Sequence, residues 1–328
     1  MTKKVIRLAF SAVLFALCFP AEAQQPTKIP RIGYLGAASL SSLSARIESF
    51  RQGLRELGYV EGKNIIIEYR SAEDKEDRLP ALAAELVRLK VDVIVTAGST
   101  GTRAAKKATV TIPIVMTFDN DPVASGFVAS LAQPGGNITG LSTFAPELSG
   151  KRLELLKEII PRLSRVAVFG TSTQPGSAQM LKEVELVAKA FGVKLQYLDV
   201  LDPKDIETAF RAATKGRAQA VLMMVSGTFT GAHGTETVQL AVKNRLPVMY
   251  TGQGIVEAGG LMTYGVNAND LDRRAATYVD KILKGRTPRD LPVEQPMKFE
   301  FIINLKAAKA IGLTIPPNVL VRATKVIR

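Results

Sequence analysis

The sequence predicts an α/β protein of two similar, doubly wound parallel-sheet lobes joined by a three-segment hinge. The first observation behind this is internal repetition. Arg31-Ile-Gly-Tyr-Leu-Gly36 returns in outline as Arg165-Val-Ala-Val-Phe-Gly170. At the same offset, helix-spaced Ile47, Phe50, Leu54 and Leu57, stopped by Gly58, are answered by Leu181, Val184, Ala188 and Phe191, stopped by Gly192. Ile112-Pro113-Ile114-Val115 is answered by Leu246-Pro247-Val248-Met249, and between these markers the register slips so that Gly98-Ser99-Thr100 aligns with Ser226-Gly227-Thr228. The second observation is that strands and helices alternate without hairpin signals, which requires a parallel sheet with helices on both faces. The third is a pair of Gly-Gly turns, Gly135-Gly136 and Gly259-Gly260, each leading into an extended segment. Both segments read as strands that leave one lobe and enter the other.

The elements follow in order. Arg31 to Leu35 is a short apolar strand, and a polar Ser-rich stretch, Ser39 to Ser44, leads to the helix carrying Ile47 to Leu57. Asn64 to Arg70 is rich in Ile and alternates poorly, as a strand covered on both faces would. Ser71, with Asp74 three residues on, is the expected cap of a helix whose Leu79, Leu82, Leu86 and Leu89 form one apolar stripe. Val91 to Thr96 is a strand, Ser99 to Ala108 a helix and Ile112 to Thr117 a strand. The second copy runs through Arg165 to Gly170, Gln179 to Phe191, Lys194 to Val200, Pro203 to Ala213, Ala220 to Val225, Thr235 to Asn244 and Pro247 to Thr251. Asp202 before Pro203 reads as a cap followed by a first-turn proline. Leu271 to Leu283 is a helix returned to the first lobe, Lys298 to Asn304 a third extended crossing, and Lys306 to Arg328 completes the second lobe. The lobes are therefore expected at 30–139 with 265–297, and at 144–261 with 302–328. Three crossings between rigid bodies make a hinge, the architecture for closing on a ligand.

The N-terminus has a separate purpose. Lys3, Lys4 and Arg7 precede an apolar run from Leu8 to Phe19 and then Ala21-Glu22-Ala23, a secretory signal (1–23) with cleavage expected after Ala23. The run is too short to cross a bilayer, so the mature chain is expected to be soluble. Cys18, the only cysteine, lies in the segment to be removed, and Leu17 before it is too large for a lipoprotein cleavage site. Neither a disulfide nor a lipid anchor is expected. Loss of the three basic residues and Glu22 takes the formal charge from +13 to +11. Lys and Arg are spread without a run of five, so this charge reads as a solubilising surface and not a nucleic-acid site.

Several blocks resemble the type I periplasmic substrate-binding proteins of ABC transporters, in the family that includes tryptophan- and tyrosine-type binding proteins. They are Phe50-Arg51-Gln52-Gly53-Leu54 with Leu57-Gly58-Tyr59, Asp121-Pro122-Val123, Leu131 to Gly140, Val256-Glu257-Ala258-Gly259-Gly260, Arg274 to Gly285, and Leu291-Pro292-Val293-Glu294-Gln295-Pro296. The resemblance implies delivery of a small solute to an ABC transporter permease in the inner membrane, without chemistry on the solute. The loops that should face the cleft, Thr171 to Gln174 and Ser226 to Gly231, depart from the usual family pattern.

Ligands of parallel α/β sheets bind beyond the carboxyl ends of the strands, where backbone N–H groups and helix N-termini collect. That rule selects Ala37 to Ser39, Ser99, Thr100 and Asp119 to Asp121 in the first lobe. In the second it selects Ser172, Thr173, Ser226, Gly227, Thr228 and Thr251 to Gln253. The ligand-binding candidates are Ser39, Ser99, Thr100, Asp119, Asp121, Ser172, Ser226, Gly227 and Gln253. Ser99 and Thr100 suit a carboxylate at a helix N-terminus, or are helix caps only. Asp119 or Asp121 suits an ammonium group, with a turn role open for Asp121 ahead of Pro122. Gln253 is either a hydrogen-bonding partner for the ligand's head or a polar turn residue.

No catalytic residues, cofactor or metal are expected. Gly33-Tyr34-Leu35-Gly36 lacks the spacing of a dinucleotide turn, and there is no phosphate loop. His233, the sole histidine, sits in a Gly-rich stretch and reads as a surface-loop residue. Glu73, Asp74, Glu76 and Asp77 read as a solvated face complementing a helix dipole. The expected protein is a monomeric ABC importer component that captures an amino-acid-like or organic-acid ligand between two closing lobes. A secreted α/β hydrolase using the cleft, or a ligand sensor docking on a membrane receptor, are the alternatives. No Trp and few aromatics weigh against a sugar.

Overall fold

The computed structural model describes residues 28–225, 233–296 and 298–328; the expected signal segment, and Ser226 and Gly227, lie outside them. The first sheet has the order β2-β1-β3-β4-β5, all parallel. Its strands are β1 (Arg31–Gly36), β2 (Ile66–Ser71), β3 (Val93–Ala97), β4 (Ile114–Asp119) and β5 (Ile138–Ser142). Three helices cover it in sequence: α1 (Leu40–Glu56), α2 (Leu79–Arg88) and α3 (Ser99–Ala108). The apolar stripe of α1 buries Ile47, Phe50 and Leu54 against Ile32, Tyr34 and Val93, one face of the sheet. The stripe of α2 buries Leu79, Leu82 and Leu86 on the other.

The second lobe begins with α4 (Ala145–Ile159) and continues as β6 (Arg165–Gly170), α5 (Ser177–Phe191), β7 (Lys194–Asp199), α6 (Asp205–Lys215), β8 (Ala220–Met224), α7 (Gly234–Lys243), β9 (Val248–Tyr250), α8 (Gln253–Glu257) and β10 (Met262–Gly265). After an excursion through α9 (Ala268–Leu283), it ends with β11 (Glu300–Asn304), α10 (Leu305–Ala310), α11 (Pro317–Leu320) and β12 (Lys325–Ile327). Its sheet order is β12-β11-β10-β9-β8-β6-β7. All pairs are parallel except β10 with β11, which are antiparallel.

The chain crosses between the lobes three times. It crosses from β5 into α4, which packs its Leu153 and Leu156 into the second core. It returns from β10 into α9, which packs Leu271, Ala275 and Val279 into the first. It leaves again between Glu294 and β11. The Gly-Gly segments are thus strands of one sheet each, and the crossings are the short links after them. Next to the first link the returning chain runs beside β5, with Ser142 N–H donating to Glu294 O (3.0 Å) and Glu294 N–H donating to Gly140 O (3.0 Å).

Four local expectations are corrected. The Ser39 to Ser44 stretch is the first turn of α1, because Ser39 caps it: its Oγ accepts from Ser42 N–H at 3.3 Å. The strand read from Asn64 to Arg70 is a half-exposed edge, β2, not one covered on both faces. Ser71 does not cap a helix. It ends β2, its Oγ donating to Ala38 O and accepting from Glu73 N–H, while Glu73 and Asp74 turn through left-handed conformations and Glu76–Arg78 forms a 3-10 turn before α2. Asp202 accepts from Lys204 N–H, but α6 starts only at Asp205, whose carboxylate takes the Leu201 and Asp202 N–H groups.

Candidate functional site

Strands β1 to β5 of the first sheet and β6 to β10 of the second end at loops facing the other lobe, while β11 and β12 run the opposite way. The contact is direct: Arg103 on α3 donates through both terminal nitrogens to Thr173 O of the second lobe, at 3.3 Å each. Gly176, at the start of α5, lies so close to the first lobe that a Cβ there would sit 3.5 Å from Asn120 and 3.6 Å from Asp121. Asp74 of the first lobe, whose carboxyl burial pushes above its ordinary range, is near enough to His233 of the second to interact with it electrostatically. The structure therefore has its lobes together.

Asp119 is the most unusual residue at this junction. It ends β4, is fully buried, and neither carboxylate oxygen has a hydrogen-bond partner among the described residues. The hydroxyls of Ser99 and Thr102 and the Asp121 N–H lie close enough to favour its charged form, though not in full hydrogen-bond geometry, and burial outweighs them and pushes its pKa up to about 7. A buried carboxylate without a donor is costly, so a site of this kind is shaped for a donor from outside the chain. Around it stand further unmatched polar atoms. Thr143 Oγ1 is buried without a partner in the link next to Asp119, whose backbone oxygen accepts from Thr143 N–H at 2.8 Å. From the second lobe, the loop that meets Arg103 and Asn120 contributes Gln174, whose Oε1 is buried and unmatched. Gln253, the first residue of α8 at the end of β9, has an unmatched buried Nε2.

The other expected residues are placed differently. Ser99 is buried, and its Oγ accepts from Asn120 N–H (3.2 Å), tying α3 to the end of β4. Thr100 is half-buried beside it. Asp121 Oδ1 accepts from Ala124 N–H (3.0 Å), the turn role. Ser39 is committed to capping α1. Ser172 is exposed, and its N–H and Oγ both bind the Asp199 carboxylate, at 2.9 and 2.6 Å. His233 precedes α7 with its Nδ1 3.4 Å from Glu236. No group of three or more metal-ligating side chains occurs among the described residues, and none of their helices is long and apolar enough to cross a membrane. A concavity of about 720 Å³ is an open depression at the opposite, amino-terminal ends of the first sheet's strands, lined by Pro30, Asp92, Pro113 and Asn137.

Residues 33–327 match the model of the family described as ABC transporter substrate binding protein. The chain belongs to that family. Members of this ABC transporter substrate-binding family bind solutes and are not enzymes. A tyrosine-binding protein of Clostridioides difficile is 26% identical over 286 residues, covering 87% of this chain and 82% of the relative. A conserved domain protein of Vibrio cholerae has the same fold, with a TM-score of 0.86 and 29% identity over 91% of this chain and 100% of the other. A Streptococcus pneumonia ABC domain in complex with L-Trp gives a TM-score of 0.84 and 25% identity, over 91% and 99%. A ligand-free, open substrate-binding protein with adhesive properties from Clostridium difficile, also 25% identical, over 92% and 99%, gives 0.67. The present arrangement is closer to the L-Trp complex than to the open structure.

Sequence reasoning placed Gln174 only in a cleft-facing loop and passed over Thr143 and Arg152, the latter buried on α4 with its Nε donating to Tyr264 O. Arg152 carried a readable signal, since it falls on the apolar stripe of α4 with Leu148, Leu155 and Ile159, where a solvated arginine would not be placed.

Proposed function

We propose that this protein is the periplasmic binding component of an ABC importer. It captures an amino-acid-like ligand between two closing lobes and hands it to the permease in the inner membrane. Asp119 carries the reading: a buried carboxylate with both oxygens unmatched, at the seam between lobes, is suited to a ligand ammonium. The tyrosine-binding and L-Trp-bound relatives support the same class. Export rests on the basic, apolar and Ala-x-Ala segments at the N-terminus, with cleavage after Ala23. The protein acts as a monomer, and the closed liganded form is the one that docks. Contacts to both lobes at once favour closure by differential affinity, so no activated nucleophile is involved.

A thermal-shift panel of amino acids, organic acids and sugars tests this. A ligand that binds only the native form raises Tm in proportion to ln(1 + [L]/Kd). An aromatic or other apolar L-amino acid should give the largest shift, and Asp119→Asn should abolish it. Shifts with sugars alone would refute the ligand class.

A further inference from the structure

Arg152 is buried on α4 with only 5% of its surface exposed, and it has no carboxylate partner among the described residues. Its Nε donates to Tyr264 O at 2.7 Å, and no other hydrogen bond of its guanidinium is formed among the described residues. Burial alone lowers its pKa to about 10, which leaves it charged at neutral pH. Its Nη2 lies 3.1 Å from where a Cβ on Gly265 would sit, and that point is 3.7 Å from Thr251 O. The guanidinium therefore stands at the carboxyl ends of β9 and β10, in the second lobe, beside the link that carries the chain back to the first.

Among the described residues, two buried ionisable side chains thus lack an oppositely charged partner, Asp119 in the first lobe and Arg152 in the second. We infer that Arg152 is the anion subsite of the cleft, receiving the ligand's carboxylate while Asp119 in the other lobe takes its ammonium. This assignment rests on the amino-acid reading above and replaces the helix N-terminus at Ser99 and Thr100 as the carboxylate's place. Ser99 lies against Asp119, so a carboxylate held there would face a like charge. A planar guanidinium with its terminal nitrogens open is instead built for a two-oxygen anion. Dividing a zwitterion between the lobes also makes closure depend on the ligand, because only the closed form satisfies both charges.

The test uses the mature chain, isothermal calorimetry at pH 8, and L-tyrosine and L-tryptophan as probes. Each is compared with its carboxamide and with its deamino analogue, 3-(4-hydroxyphenyl)propionate or 3-(indol-3-yl)propionate. The wild type should bind at least one amino acid about 10- to 100-fold more tightly than its carboxamide. Arg152→Gln should erase that preference by weakening the amino acid while leaving the carboxamide unchanged, and Arg152→Lys should restore part of it. Arg152→Gln with the wild-type preference intact would make Arg152 a strut for Tyr264 and overturn the proposal. So would a wild type that binds no carboxylate-bearing probe. Loss of the amine requirement alone, with the carboxylate requirement retained and dependent on Arg152, would overturn the Asp119 reading and uphold this one.

Discussion

At the scale of single residues, Asp119 carries a stability cost that its function explains. Its carboxyl titrates near 7 when folded and near 3.8 when free. A raised acid is neutral in both states at low pH, so the cost is absent below about pH 4 and grows until the pH passes about 7. Asp119→Asn should therefore stabilise the ligand-free protein at pH 8 by about 4 kcal/mol, and by almost nothing at pH 4. Chemical denaturation at both pH values checks this; equal effects would mean that Asp119 is ionised and satisfied. The sequence revealed Asp119 because strand ends in parallel sheets are predictable positions. It did not separate Asp119 from Ser39, Ser172 or Asp121. Those three are polar groups with the same placement by rule, yet each spends its hydrogen bonds on its own loop or a neighbouring strand. Whether a hydroxyl caps or waits for a ligand depends on distances of a few tenths of an ångström, which residue type does not encode.

At the scale of elements, α9 is the segment that must be held in a lobe distant in sequence. A buried network does this: Arg46 of α1 donates to Asp272 of α9 at 2.6 Å and to Thr117 of β4 at 3.1 Å, while Tyr34 of β1 donates to Asp272 at 3.2 Å. The helices also approach closely, since a Cβ on Gly53 would come within 2.2 Å of Arg273 O. Asp272→Ala would leave the Arg46 charge uncompensated and should cost about 3 to 5 kcal/mol. Denaturant unfolding measures it, and a loss below about 1 kcal/mol would show that apolar packing alone seats α9. Helix positions were legible because apolar spacing and stop glycines agree, as at Gly58 (φ +86°) and Gly192 (φ +64°). Starts were less so. The 3-10 turn before α2 and the caps at Ser39 and Lys204 depend on backbone conformation near Pro and acidic residues, where several local hydrogen-bond patterns compete.

At the scale of the whole molecule, duplication made the two lobes readable, while the differences between them were not. The second sheet has seven strands against five, because β11 and β12 join it after α9 has visited the first lobe. The antiparallel pairing of β10 with β11 follows from that excursion: the chain re-enters the second sheet from the opposite direction. Among the described residues the lobes meet through Arg103 with Thr173 and the Gly176 turn with Asn120 and Asp121. Phe144, in a left-handed conformation at the first crossing, is one of the residues that a hinge would exploit. Ligand-driven closure is the claim on which the functional account stands. Its most direct test is the separation between dyes at Lys75→Cys and Lys204→Cys, exposed sites on the rims of the two lobes. The only native cysteine, Cys18, lies in the segment expected to be removed. Single-molecule energy transfer should show a longer mean separation in the ligand-free protein and a shorter one with saturating L-tyrosine or L-tryptophan. A separation unchanged by either amino acid would contradict capture by closing lobes.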